Sequence, residues 1–243
     1  MEKTKIKSLF ISDIHLGNKN ARVDLLLTVL KKYDFENLFI IGDFLDLTAM
    51  KKKFYWNQKS SSVIQKILKI SKTKNVIYLI GNHDYYIRSI IEDENIFLGK
   101  ILICDRYIYE SDNTKYLIVH GDCFDSFVKT NPILYIIGDF LYETTIKINN
   151  IVAFFRKLLG YEYWSLSSYL KMKTKAVLKA ITNYKETAYL FIKENECDAI
   201  IQGHTHTPEI SQIYDKKYYN TGDFVESCTY MIEKDGKIEL IYI

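Results

Sequence analysis

Ser12-Asp13-Ile14-His15-Leu16-Gly17 closes an apolar run over residues 7–12 and sets a carboxylate and an imidazole two residues apart. In extended backbone such residues face the same side, so both reach one cation, and Gly17 eases the turn that follows. An Asp-x-His pair alone is an ordinary surface feature. Here the design recurs. The apolar run 38–42 ends in Gly42-Asp43-Phe44-Leu45-Asp46, and the run 76–81 ends in Gly81-Asn82-His83-Asp84. Farther along, 116–121 contains His120-Gly121-Asp122, and 199–203 leads into Gly203-His204-Thr205-His206-Thr207-Pro208. Each run reads as a buried strand leading into a loop. All five histidines of the chain lie in these strand-end segments, which a set of merely solvated imidazoles does not explain. Taken singly, Asp46 and Asp84 read as helix-cap or turn residues.

Helical periodicity over about 21–33 and 60–72 separates the first three runs, giving a βαβαβ opening. After Cys197 the pattern is all-β, with strands expected at 210–214, 217–219, 227–233 and 237–243 around the turn Lys234-Asp235-Gly236. Two packed sheets flanked by helices follow from this order. In a mostly parallel sheet, the carboxyl ends of the strands line the crevice where ligands bind.

The stretch 124–182 reads differently, as a helical insertion. Ile148, Ile151, Val152, Phe155, Leu158 and Leu159 fall on one stripe that Gly160 ends, and a second helix is expected over about 165–181. Residues 124–183 hold eight lysines and arginines, four acidic residues and eleven aromatic residues. Basic groups beside apolar surface suit an anionic head with a greasy tail, although a small subdomain packing its own aromatics reads the same way.

The 243 residues suffice for one large domain carrying such an insertion, taken here as a single domain over 1–243. Hydrophobic residues at 48% and charged residues at 26% exclude a disordered chain. A net charge of +3 gives no footprint for nucleic acid. Cys104, Cys123, Cys197 and Cys228 are scattered without C-x-x-C spacing, which predicts reduced thiols in a cytoplasmic protein. The N-terminal residues lack the apolar core of a signal peptide. The apolar runs at 133–137 and 151–155 fall far short of the roughly 20 residues that span a bilayer, so any membrane association is peripheral.

Oxygen and imidazole ligands without thiolate suit Mn²⁺, Fe, Zn²⁺ or Mg²⁺. Seven candidate ligands, Asp13, His15, Asp43, Asn82, His120, His204 and His206, exceed one tetrahedral site. Two ions are therefore expected, with Asp43 able to bridge them. Two metals about 4 Å apart clamp a phosphoryl group and make a hydroxide from a shared water, which serves phosphate ester or anhydride hydrolysis.

The order Asp-x-His, Gly-Asp, Gly-Asn-His-Asp, His-Gly and Gly-His-x-His resembles the calcineurin-like metallophosphoesterases. That resemblance implies a four-layer α-β-β-α sandwich of two mixed sheets. It also implies Asp13, His15, Asp43 and His206 on one metal, and Asp43, Asn82, His120 and His204 on the other, with Mn²⁺ the first expectation. By the same resemblance His83 would face the leaving-group oxygen, with Asp84 orienting its ring. A narrower likeness extends through the insertion. His120-Gly121-Asp122-Cys123-Phe124-Asp125, Tyr163-Trp164-Ser165-Leu166-Ser167-Ser168-Tyr169-Leu170-Lys171 and the ending Asn220-Thr221-Gly222-Asp223-Phe224-Val225-Glu226-Ser227-Cys228 are similar to the UDP-2,3-diacylglucosamine hydrolase group. Such enzymes release UMP and 2,3-diacylglucosamine 1-phosphate at the cytoplasmic membrane face during lipid A synthesis.

By this likeness the substrate contacts are Asn82, His83 and His204, with Asp125, Ser165, Lys171 and Lys175 from the insertion; Lys171 and Lys175 share a helical face. The chain departs from the group at His83, where its better-known members carry arginine. A histidine can give a proton to an alkoxide leaving group, which a sugar phosphate scarcely needs. Two other readings stand beside the lipid one: a soluble phosphodiesterase or phosphatase for nucleotides or small esters, and a metal-binding scaffold without catalysis. Oligomeric state is not legible.

Overall fold

The computed structural model describes residues 3–91, 96–125 and 175–243. Its strands, in chain order, are β1 (Thr4–Lys5), β2 (Ser8–Ile11), β3 (Tyr33–Asp34), β4 (Asn37–Ile41), β5 (Asn75–Leu79), β6 (Ile96–Leu98) and β7 (Ile101–Cys104). They continue with β8 (Arg106–Ser111), β9 (Thr114–Val119), β10 (Ala199–Gln202), β11 (Glu209–Ile213), β12 (Lys216–Asn220), β13 (Thr229–Lys234) and β14 (Lys237–Tyr242). The described helices include α1 (Val23–Lys32), α2 (Leu47–Lys52), α3 (Gln58–Ile70) and α4 (Tyr85–Ile91), and a long helix runs over Lys175–Glu194.

A seven-stranded sheet has the order β14-β13-β2-β4-β5-β7-β6, and a five-stranded sheet the order β11-β12-β10-β9-β8. Both are mixed. The inner strands β2, β4, β5 and β7 are parallel, as are β9, β10 and β12, while antiparallel strands close the edges.

Residue alternation explains the layers, because successive side chains of a strand point to opposite faces and a doubly covered sheet needs apolar residues on both. Leu9, Ile11, Leu38, Ile40, Val76 and Tyr78 join a core with Leu26, Leu30, Val63 and Ile67 of α1 and α3. Their neighbours Phe10, Phe39, Ile41, Ile77 and Leu79 face the other way and pack on Tyr109, Tyr116, Ile118, Ala199, Ile201 and Tyr219 of the smaller sheet. The fold is thus the expected α-β-β-α arrangement. Phe39 is central to the inter-sheet layer, its ring 5.0 Å from Phe10 and 4.9 Å from Tyr109.

The helix expected over 60–72 begins two residues earlier, because Asn57 caps it by accepting from the Ser60 amide at 2.8 Å. Asp235-Gly236 forms the expected tight turn, closed by the Lys234–Lys237 pair with φ of 51° and 73°, as a two-residue hairpin loop demands. Strands β6, β7 and β8 were not among those expected: they are short or mix polar with apolar residues, and Phe97 and Leu98 stay exposed at the sheet edge. The helix expected to end at about 181 continues to Glu194, since neither glycine nor proline interrupts it.

Two compact units make up the chain: Met1–Asp122 with Tyr189–Ile243, and Cys123–Ala188. In the second, Phe124 meets Tyr184 edge-on at 5.5 Å. The helix expected over 148–160, the start of that expected over 165–181, and both Ser165 and Lys171 lie outside the described residues. No described helix is long and apolar enough to cross a membrane.

Phe39→Ala should lower unfolding free energy by about 3–5 kcal/mol through lost burial and the cavity left between the sheets, read as a fall in the urea midpoint. A change of less than about 1 kcal/mol would show that the two sheets do not share this core.

Candidate metal centre

The parallel strands β2, β4 and β5 of one sheet and β9 and β10 of the other deliver their carboxyl ends to one place. Backbone hydrogen bonds join the loops that follow: the Asp13 amide donates to Gly42 O, the His15 amide to Asp43 O, and the Gly203 amide to His120 O. Five candidate ligands sit in left-handed backbone, with φ of 49° at Asp13, 52° at His15, 48° at Asp43, 67° at His204 and 53° at His206. Such conformations cost about 1–3 kcal/mol each outside glycine and persist where surrounding structure imposes them. Glycines make the remaining room. A Cβ on Gly81 would lie 2.2 Å from Asp43 Oδ1, and one on Gly203 2.3 Å from Asp13 Oδ2.

The side chains form two groups sharing a member. On one side, Asp13 Oδ1 is 3.2 Å from His206 Nε2, and His15 Nε2 is 3.4 Å from His206 Nε2. On the other, His120 Nε2 is 3.1 Å from Asn82 Oδ1, and the His204 ring lies 5.0 Å from the His120 ring. Asp43 Oδ2 faces both groups, 3.7 Å from His15 Nε2 and 3.4 Å from His120 Nε2. It is the carboxylate that lies between the two groups.

These residues fit divalent cations on three counts. His120 donates from Nδ1 to Ile41 O at 3.0 Å, His15 Nδ1 is 3.4 Å from Asp46 Oδ2, and His206 Nδ1 is 3.8 Å from Asp223 Oδ2. The carbonyl behind His120 Nδ1 places the proton there and leaves its Nε2 lone pair pointing inward, the tautomer a metal needs, while the carboxylates behind His15 and His206 favour the same orientation by charge. Asp13 Oδ1 is fully buried and faces the His206 ring nitrogen in poor hydrogen-bond geometry, which leaves it underused as an acceptor. The electrostatics also call for positive charge. Burial alone would raise the Asp13 carboxyl, but His206 and His120 outweigh it and hold it at about 2. Asp43 is likewise held well below the carboxylate range, against burial, chiefly by His120. Burial would lower His120, yet Asp43 and Asp13 raise it to about 10.

His83 stands at the edge of this cluster, its ring edge-on to His15 at 4.7 Å and its amide donating to Asp43 Oδ1 at 2.8 Å. Its orientation corrects one expectation. Asp84 does not hold the His83 ring: its oxygens accept from the Phe44 amide at 3.0 Å and the Leu45 amide at 2.8 Å, pinning the loop after Asp43. Burial and the Asp43 charge push Asp84 up to about 7. The ring is held by Asp46, whose Oδ1 lies 2.8 Å from His83 Nδ1 and also accepts from the Ala49 amide to cap α2. Asp46 is therefore both the cap residue expected and a positioning residue of the site. Asp223 is a second residue missed, although Gly222-Asp223 after β12 repeats the Gly42-Asp43 pattern after β4.

Asp125 is half-buried and belongs to the unit Cys123–Ala188, as does Lys175, the first residue of the long helix.

Gly81 tests the close approach directly. Gly81→Ala should leave secondary structure intact while displacing Asp43, so that metal content measured by mass spectrometry falls below that of the parent protein. Unchanged metal content would mean that Asp43 is not held by this contact.

The calcineurin-like phosphoesterase family profile matches residues 6–208. Proteins named UDP-2,3-diacylglucosamine hydrolase are similar over their length: that of Psychromonas ingrahamii is 22% identical over 97% of both chains, and that of Wigglesworthia glossinidia brevipalpis is 23% identical over 97% of this chain and 94% of its own. Among solved structures, the E. coli phosphoesterase Yfce overlays with a TM-score of 0.48 at 13% identity, covering 98% of this chain and 100% of its own. An archaeal phosphodiesterase gives 0.44 at 16%, covering 98% and 100%. With its ligand order intact and the family match spanning most of its length, the chain belongs to the calcineurin-like phosphoesterases and is a metal-dependent hydrolase of phosphoric esters or anhydrides.

Proposed function

We propose that this chain hydrolyses the pyrophosphate bond of UDP-2,3-diacylglucosamine, releasing UMP and 2,3-diacylglucosamine 1-phosphate, at the cytoplasmic face of a membrane with which it associates peripherally. The observation that carries the reading is the span of the likeness, since the relatives bearing that name align over 97% of this chain, insertion included. The aromatic and basic composition of 124–183 supports it, because a diacyl sugar needs apolar cover beside cationic groups. Asp125, Ser165, Lys171 and Lys175 are the insertion residues assigned to substrate.

Asp13, His15 and His206 would hold one cation and Asn82, His120 and His204 the other, with Asp43 placed between the two groups. Mn²⁺ is the ion assigned, on an oxygen and imidazole donor set lacking thiolate. When bound, the two cations supply Lewis acidity at the phosphoryl oxygens and lower the pKa of a shared water. His83 keeps Nδ1 on Asp46 and so presents Nε2 to the oxygen that leaves as the P–O bond breaks, giving it a proton. Asn82, His83 and His204 line the phosphoryl position.

One observation favours a second reading, hydrolysis of small phosphate esters. His83 Nδ1 lies 2.8 Å from Asp46 Oδ1, a pairing that raises the imidazole against the effect of burial and equips the ring to give a proton to an alkoxide leaving group.

Purified protein with Mn²⁺ should release UMP from UDP-2,3-diacylglucosamine dispersed in detergent. No UMP release under conditions where a model phosphodiester is cleaved rejects the lipid reading in favour of the second. His83→Ala separates the roles: kcat on an alkyl phosphodiester should fall about 10²–10³-fold, whereas release of the acidic sugar phosphate should fall far less. Equal losses on both substrates would show that His83 acts through charge or binding. Asp43→Ala should abolish turnover of either substrate, and full activity in that variant would show that the turnover does not come from this metal centre, which would revive the scaffold reading.

A further inference from the structure

Residues 47–83 contain eight lysines, no arginine and no acidic residue, in a chain whose net charge is only +3. Six of these lysines, Lys51, Lys52, Lys53, Lys59, Lys69 and Lys72, are exposed. Helix α3 buries Ser60, Val63 and Ile67 and leaves Lys59 and Lys69 exposed, with Leu68 at 42% exposure between them. Just after α2, Lys53 is exposed and Phe54 stands out at 75%. Burial lowers the Lys66 ammonium, and the neighbouring Lys3, Lys69 and Lys31 add to the effect by like-charge repulsion.

A soluble protein gains nothing by holding a phenylalanine in water among lysines. The combination suits a bilayer interface, where an aromatic ring enters the headgroup boundary and ammonium groups meet anionic lipid. The absence of arginine fits the same partner, because lysine is a point charge suited to diffuse attraction, whereas the phosphates of nucleic acid are commonly gripped by arginine forks. The position is also telling. Asp46 caps α2 and holds His83, so the chain from Lys51 to Phe54 begins within two turns of the metal centre. Lys51 reaches Tyr86 OH at 3.1 Å, joining α2 to α4, on which Tyr85 and Tyr86 are more than half exposed.

We propose that α2, the following Lys53-Phe54 pair and the solvent face of α3 dock on an anionic lipid bilayer, with Phe54 entering the interface. Binding to the bilayer stands on this surface alone; its use, to bring the metal centre to a lipid-linked phosphate, rests on the lipid reading above.

Vesicle sedimentation of the full chain tests it. The protein should pellet with vesicles of equal parts phosphatidylcholine and phosphatidylglycerol, remain in solution with phosphatidylcholine alone, and be released by high salt. Lys53→Glu with Phe54→Ser should weaken binding at least about tenfold, as should Lys59→Glu with Lys69→Glu, while turnover of a soluble phosphodiester stays at the parent level and certifies the fold. Failure of the parent protein to bind the anionic vesicles overturns the proposal. Parent-level binding by both double variants overturns it too, as does binding of duplex DNA in preference to vesicles. UMP release from detergent-dispersed substrate is measured without vesicles, so failure of the substrate reading is seen separately.

Discussion

One carboxylate organises the molecule's working end. Asp43 is 98% buried, takes the His83 amide on Oδ1, and turns Oδ2 toward His15 on one side and His120 on the other. An ionised carboxylate in such a place is costly, by several kcal/mol even after relaxation, unless positive charge surrounds it. The imidazoles supply part of that charge, and a pair of cations would complete it. The left-handed backbone at Asp43 and the missing side chain at Gly81 are consequences of bringing this one group to its position.

Two stacked mixed sheets are a suitable way to build such a point. Parallel strands all end at one side, so β2, β4 and β5 present three loops from the larger sheet, and β9 and β10 present two from the smaller. The inter-sheet core of Phe10, Phe39, Ile77 and Ile118 fixes the distance between those loop sets. Polar ties do the same at the opposite end, where Ser8 and Glu233 of one sheet bond Tyr109 of the other at 2.8 and 2.7 Å. The ligands therefore need no flexible closure to meet one another.

The sheet strands and ligand loops were legible because each signal is local. An apolar run followed by Gly-Asp or Asp-x-His states both the strand and the chemistry at its end. Less legible was anything decided by contact. Strands β6 and β8 carry exposed apolar or mixed residues and declare themselves only by pairing with β7 and β9. Asp223 follows a strand whose direction, parallel to β10, is a tertiary fact.

The exchange between Asp46 and Asp84 shows the limit most sharply. Both are aspartates beside a candidate ligand, and adjacency to His83 points to Asp84. Yet neighbouring residues in a turn point apart, and the Asp84 carboxylate instead reaches the Phe44 and Leu45 amides, which have no strand partner to bond. That leaves His83 to a residue 37 positions away in sequence, with a helix N-terminus stabilising the same carboxylate. The result couples three things through Asp46: the start of α2, the His15 ring and the His83 ring. A change in how α2 sits is thereby felt at the His83 ring.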